Sequence, residues 1–413
     1  MTIIEFYDKV ALENIAGAML CGADSIILVG DSRSKMEQSI TVYDTILKNR
    51  GINTKLLYMT INRNNLQNII DVLSEIVLSD ESCVFDLTGG EDLYLVGVGA
   101  VMNKFAGRVQ CHRFNFNNNT LYDCDADGNV CSTSPFIISA EENIAMYGGR
   151  IVKDETQPLH TFNWNIDEDL RDDIEIMWNL CKNDVGLWNL ETALLGAMCD
   201  SIRILDGLVF KIDKDQLSSV VSKKHIEPNK YLIFLRRLDR LGLIESLEIE
   251  DNVSFTFKNR QIKRCLTLAG QILELIIANR MKSLKDSEGN PLYNEVIVGA
   301  VIDWDPAEEE NQYRTINEID ILAMKGAIPI FISCKNGNFD ENELYKLSTV
   351  ADRFGSKYSR KILVATKLEK FGLKSDYLRA RMKDMEIRCI DNITSMTDEQ
   401  LDNSLRYLWI KSN

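Results

Sequence analysis

Two segments of this chain carry residue types at spacings that could do chemistry. The first runs Asn317-Glu-Ile-Asp-Ile-Leu-Ala-Met-Lys-Gly-Ala-Ile-Pro-Ile-Phe-Ile-Ser-Cys-Lys-Asn336. Residues i and i+2 of a strand face the same side, so Glu318 and Asp320 share one face and Ser333 and Lys335 share a face of the next strand. A glycine turn near Lys325-Gly326 predicts that the two strands pair as a hairpin, bringing two acids and a lysine to one strand end. Carboxylate oxygens hold Mg²⁺ or Mn²⁺. Such a metal lowers the pKa of a bound water and stabilises charge on a phosphoryl group, and a nearby ammonium can orient or deprotonate that water and offset phosphate charge. An amphipathic hairpin with a solvated face would use the same residues, but Lys335 closes an otherwise apolar run, Ile328–Cys334. Glu343, opening the next predicted helix, and Glu274, on the helix before the strands, are further carboxylates within reach of such a site.

The second segment is Asp86-Leu-Thr-Gly-Gly-Glu-Asp-Leu93. It follows a predicted strand and opens a helix. Two glycines let a ligand approach backbone N–H groups, and a helix N-terminus favours an anion. Thr88, Gly89 and Gly90 are therefore candidate binding residues, although a tight turn with an N-cap would look the same. Glu91 and Asp92 speak against phosphate at that spot and fit hydrogen bonds from a base or ribose. The loop after the first strand, Tyr7, Asp8 and Lys9, is expected to face this one.

The elements that must position these residues fall into three stretches. Over residues 1–149, short β-branched runs at Ile3–Phe6, Ser25–Val29, Thr54–Tyr58, Cys83–Leu87 and Arg108–Phe114 alternate with helical patterns. That alternation predicts a doubly wound, mostly parallel sheet. The first and fourth strands should then flank its switch point, where ligands bind. Asn115–Asn119 and Asp123–Gly128 are turn material. Over 150–260 the rhythm changes to helix, Gly242, strand, turn at Glu250-Asp-Asn252, strand, the pattern of a winged helix. Over 261–413 a long helix, Gln261–Met281, precedes three strands, a helix and a further strand, a second α/β core. The basic stretch Arg353-Phe-Gly-Ser-Lys-Tyr-Ser-Arg-Lys361 follows the Glu343 helix and is expected to line a phosphate groove beside the metal, with Tyr358 able to stack on a base.

Composition narrows the classes. The 413 residues carry 47 Lys+Arg against 62 Asp+Glu, a net charge of −15. Residues 1–150 hold 11 basic and 19 acidic residues, 151–260 hold 14 and 20, and 261–413 hold 22 and 23. An acidic chain is not a general DNA-coating protein, but the nearly neutral last third leaves room for a local nucleic-acid cleft. Ten scattered cysteines without a CxxC pair, and three histidines, fit neither a disulfide scaffold nor a zinc finger. The first residues carry acids rather than a signal peptide, and no run of 18 apolar residues spans a membrane. A reducing cytoplasm is the expected location.

The hairpin resembles the PD-(D/E)xK nuclease superfamily. Asp320 and Lys335 match the first and last members of its pattern, and Ser333 stands where the second acid belongs. The missing carboxylate is expected from Glu318, Glu343 or Glu274. The whole order resembles the CARF-domain ancillary nucleases of type III CRISPR systems, most specifically at Leu87-Thr-Gly-Gly90, Asn317-Glu-Ile-Asp320 and Phe331-Ile-Ser-Cys-Lys-Asn-Gly337. The resemblance implies a CARF-like sensor, a winged-helix-like connector and a restriction-endonuclease-like domain. It further implies a homodimer that binds a cyclic oligoadenylate, usually cyclic tetraadenylate, and then cleaves DNA and/or RNA with Mn²⁺ or Mg²⁺, as single strands or supercoiled DNA. The alternative is a ligand-sensing transcription regulator that reads DNA with the winged helix. A constitutive repair or restriction nuclease would have no use for the sensor-like first stretch.

Overall fold

The computed structural model describes residues 1–80, 82–124, 129–132, 136–202, 207–306, 315–368 and 373–411. Part of the turn expected at Asp123–Gly128 lies outside them. Seven strands form the first sheet: β1 (Thr2–Phe6), β2 (Ser25–Gly30), β3 (Lys55–Thr60), β4 (Cys83–Asp86), β5 (Val109–Asn115), β6 (Thr120–Asp123) and β7 (Val130–Ser132). Their order is β3-β2-β1-β4-β5-β6-β7. The first five are parallel and the last two antiparallel. β1 and β4 are buried along their whole length, as strands covered on both faces must be. The chain leaves β1 toward β2 and leaves β4 toward β5, so the two following loops open a crevice between neighbouring strands.

The middle stretch begins with a two-residue strand, β8 (Arg150–Ile151), that pairs with a strand of the last sheet. Helices Glu168–Asn183 and Val185–Ser201 follow, then β9 (Val209–Asp213), helices Lys214–Ser222 and Pro228–Arg240, β10 (Ile244–Ile249) and β11 (Asn252–Phe257). The small sheet has the order β10-β11-β9 and is antiparallel. This is a winged-helix-like unit, whose first strand, β9, sequence reasoning missed. Gly242 ends the second helix at φ +70, as expected of a residue without a side chain. Gly196, on the helix Val185–Ser201, lies against the end of the helix Arg260–Thr267. A Cβ there would meet the Thr267 carbonyl oxygen at 2.2 Å. Backbone cannot rotate away, so Gly196→Val should cost about 3 kcal/mol of stability. A clearly lower urea midpoint checks this, and an unchanged one contradicts the close packing.

The third sheet contains β12 (Glu295–Asp303), β13 (Ile316–Lys325), β14 (Ile328–Lys335), β15 (Arg360–Ala365) and β16 (Ile387–Ile390). The order is β16-β15-β14-β13-β12-β8, antiparallel from β8 to β14 and parallel from β14 to β16. The single helix expected over Gln261–Met281 is two, Arg260–Thr267 and Gln271–Ser283. They break at Gly270, whose φ of +96 no helix accommodates. The first and third sheets share one continuous core, in which Phe114, Phe116 and Phe136 meet Phe331, Phe354 and Leu363. Asn143 donates to the Phe354 carbonyl (2.6 Å) across that join.

Candidate active site and sensor cavity

The hairpin forms as its alternation requires. β13 and β14 pair from Lys325↔Ile328 to Ile321↔Ile332 around a two-residue turn, Gly326-Ala327. Gly326 takes φ +61, the positive φ that the first position of such a turn demands. One further step along the register sets Asp320 across from Ser333. The Asp320 carboxylate accepts from the Ser333 hydroxyl (3.2 Å) and from the Cys334 backbone N–H (2.6 Å). Ser333 thus supplies a donor where an acid would supply an acceptor. The Lys335 ammonium lies 3.5 Å from the same Asp320 oxygen and 2.8 Å from Glu343 Oε2.

Charge sets the roles of these groups. Burial pulls the Lys335 ammonium down, but Asp320 and Glu343 outweigh it and raise its pKa, so it stays a cation. Burial raises the Glu343 carboxyl, but hydrogen bonds from Lys335 and Lys346 hold it below the ordinary range. Both Glu343 oxygens are taken by lysines, each at 2.8 Å. This geometry suits Glu343 to positioning Lys335. Burial, then the Asp320 and Glu318 charges, push Glu274 well above the carboxylate range. Burial and then Asp320 raise Glu318 as well. Asp320, Glu318 and Glu274 are neighbouring oxygen donors, the ligand type a hard cation takes. Among the described residues no three His, Cys, Asp or Glu converge to ligating distance, so water or a backbone carbonyl would have to complete the shell. A small cleft of about 50 Å³ opens here, lined by Glu318, Asp320, Ser333, Lys335, Glu343 and Lys346.

Gly299, opposite this set on β12, has φ +62, and a Cβ there would meet Glu318 Oε1 at 3.2 Å. It keeps backbone close to the carboxylates, and no pattern in the sequence marked it. If the hairpin is the site of the cleavage expected from sequence, Glu343→Gln should lower it about tenfold, the size of effect typical of groups that orient others. A plasmid-nicking time course measures it, and an unchanged rate would remove Glu343 from the site.

The second candidate site is a cavity of about 500 Å³ at the β1–β4 crevice. Asp8, Thr88, Gly89 and Gly90 line it. The loop is fixed from below: Asp86 accepts from Thr88 N (2.7 Å), and Thr88 Oγ1 accepts from Phe114 N (2.8 Å). Asn14 holds Asp8 through both main-chain groups. Gly90 at φ +104 packs on Phe6. The other four predicted residues are not in its lining. Tyr7 turns to Gly30 and Ser39, and Lys9 is exposed. Glu91 faces Arg63 at 3.6 Å, and Asp92 begins the helix Asp92–Lys104. Sequence reasoning missed three charged lining residues: Glu13, Arg113 and Lys357.

The basic stretch after the Glu343 helix corrects the expectation made for it. Lys357 lines this cavity and Tyr358 reaches the Glu13 beneath it, so neither lies at the Asp320 cleft. Lys357 Nζ is 2.7 Å and the Tyr358 hydroxyl 2.6 Å from Glu13 Oε1. The Tyr358 ring packs on Phe116, centroids 4.4 Å apart, so it is not open to stack on a base. The reason is the length of helix Glu341–Gly355. Its 15 residues span about 22 Å, with Glu343 at one end and Lys357 just past the other.

No protein-family model matches the sequence, and no curated protein matches it. Solved structures do. Protein VC1899 from Vibrio cholerae has a TM-score of 0.73 at 16% identity, covering 98% of this chain and 96% of that one. Can2 from Sulfobacillus thermosulfidooxidans, in complex with cyclic tetra-adenylate, has a TM-score of 0.66 at 13% identity, covering 99% of each chain. The whole three-part arrangement therefore recurs in proteins of very different sequence. Among the described residues, no helix is long and apolar enough to cross a membrane.

Proposed function

We propose that this chain is a cyclic-oligoadenylate-activated, metal-dependent nuclease of type III CRISPR defence. The observation that carries the proposal is the hairpin that sets Lys335 Nζ 3.5 Å from Asp320 Oδ2, in a chain that also holds a switch-point cavity. A transcription regulator has no need of that pair. The structural likeness to Can2 bound to cyclic tetra-adenylate supports the same ligand class at the Thr88–Gly90 loop. Leu95 and Val96 are exposed on the helix beside the cavity, which fits a second copy closing over it.

Asp320, with Glu318 or Glu274, would hold Mg²⁺ or Mn²⁺. When bound, such an ion supplies Lewis-acid stabilisation of phosphoryl charge and a more acidic water. The chain's own residues do the rest. Lys335, kept protonated by Asp320 and Glu343, offsets charge on the scissile phosphate and orients the attacking water. The Cys334 N–H and Ser333 hydroxyl fix the Asp320 carboxylate. Helix Glu341–Gly355 carries Glu343 at the catalytic end and leads into Lys357 at the sensor end, a rigid route for the signal. Cleavage of labelled single-stranded DNA, single-stranded RNA and supercoiled plasmid, each with Mn²⁺ or EDTA, tests the proposal. Metal-dependent cutting of at least one is expected. No cutting of any, with ligand present, contradicts it.

A further inference from the structure

The floor of the sensor cavity holds an ion pair whose partners lie more than three hundred residues apart. Glu13 is 1% exposed, and its Oε1 takes both the Lys357 ammonium and the Tyr358 hydroxyl. Its other oxygen, Oε2, is buried without a hydrogen-bond partner. That oxygen lies 3.4 Å from where a Gly89 Cβ would stand, so it faces the candidate ligand loop. Lys357 itself is 57% exposed in its side chain and lines the cavity together with Arg113. A flexible, half-exposed cation bound to a buried anion inside a ligand cavity is free to change partners.

The backbone beside it is under tension. Ser356, which joins helix Glu341–Gly355 to Lys357, has φ +49 and ψ −141. A residue with a side chain pays about 1–3 kcal/mol for such a region, and strained joints of this kind gather at switching segments.

We propose that Lys357 is a phosphate-binding residue of the sensor cavity, held in reserve by Glu13. When a ligand with phosphodiester groups enters, the ammonium leaves the carboxylate for a phosphate oxygen. Glu13 keeps the Tyr358 hydroxyl. The exchange shifts the segment that continues helix Glu341–Gly355, whose first turn holds Lys335 through Glu343. This inference rests on the reading of the cavity as a cyclic-oligoadenylate site.

The pair makes opposite demands on binding, which a double-mutant cycle resolves. Calorimetric titration of the full chain with cyclic tetraadenylate is the measurement. Lys357→Met removes a charge-assisted bond and should weaken binding about tenfold or more, while Lys357→Arg should retain it within about threefold. Glu13→Gln keeps an acceptor for Tyr358 but releases Lys357, so it should tighten binding about threefold. In the Lys357→Met background the Glu13→Gln gain should vanish. An equal gain in both backgrounds would mean that Glu13 acts only as cavity charge, and the exchange would be wrong. Unchanged binding in Lys357→Met would remove Lys357 from the site. Should Glu13→Gln fail to fold, the contrast between Lys357→Met and Lys357→Arg decides alone, and equal losses in the two would overturn the proposal. A wild-type protein that binds no cyclic tetraadenylate overturns both this inference and the cavity reading beneath it. Binding by wild type that the variants leave untouched overturns this inference only.

Discussion

Asp320→Ala is expected to reduce Mn²⁺-dependent cleavage at least about 10³-fold, the scale on which preorganised charge acts in a reactive site. Asp320 sits where the hairpin gathers its polar contacts. It accepts from Ser333 and Cys334 and faces Lys335, and its charge helps raise both Glu274 and Glu318. Removing it takes away a candidate metal ligand and an anion that keeps Lys335 protonated. Lys335→Met should cost a similar factor by a different route. The methionine keeps most of the buried stem but leaves Asp320 without its cation, so metal binding should persist while cleavage fails. The two variants are separated by Mn²⁺ titration beside the cleavage rate. Wild-type rates in either folded variant would show that the hairpin is not the reactive centre.

Gly89→Glu is expected to weaken the sensor ligand about 100-fold. A Cβ at Gly89 already stands 3.1 Å from the Glu13 Cβ, so a longer side chain must project into the cavity. Its carboxylate would lie near the phosphates of a bound oligonucleotide. Two like charges about 5 Å apart at an effective dielectric near 20 repel by about 3 kcal/mol, which is the factor of 100. The substitution is far from Asp320, so basal cleavage should stay as in wild type. A ligand shifts a conformational balance only through the difference in its affinity for the two states. Losing the ligand's site should therefore return the enzyme to its basal rate. Calorimetry and cleavage together test this, and unchanged binding would place the ligand elsewhere.

Much of this arrangement was legible because local patterns are periodic. The alternation of short apolar runs with helical stretches marked the first sheet, and its switch point followed from strand order alone. The hairpin was readable because a two-residue period put Glu318 and Asp320 on one face, while Lys325-Gly326 announced the turn. Other features had no local signature. β9 is five residues long and half exposed, and β16 is a four-residue edge strand, each too short for its period to stand out. The break at Gly270 was hidden because residues on both sides keep a helical pattern. No pattern marked Glu13, which is buried beneath Gly89. Its partner Tyr358 lies 345 positions away, a distance no pattern spans. The basic run at 353–361 was read for its charge and its aromatics. Where it went was decided by the length of helix Glu341–Gly355, which carries it away from the cleft it follows in sequence.

In the function proposed, ligand binding at the β1–β4 crevice controls chemistry at the Asp320–Lys335 hairpin. This control is tested most directly by the rate of cleavage of a supercoiled plasmid and of labelled single-stranded DNA and RNA in Mn²⁺, with and without cyclic tetraadenylate. Coupling free energies between sites are commonly about 1–3 kcal/mol, or roughly 5- to 150-fold. A ligand-dependent rise of that size or more, absent in Asp320→Ala and lost in Gly89→Glu, is the result expected. Cleavage at one rate with or without a ligand that calorimetry shows to be bound would contradict it.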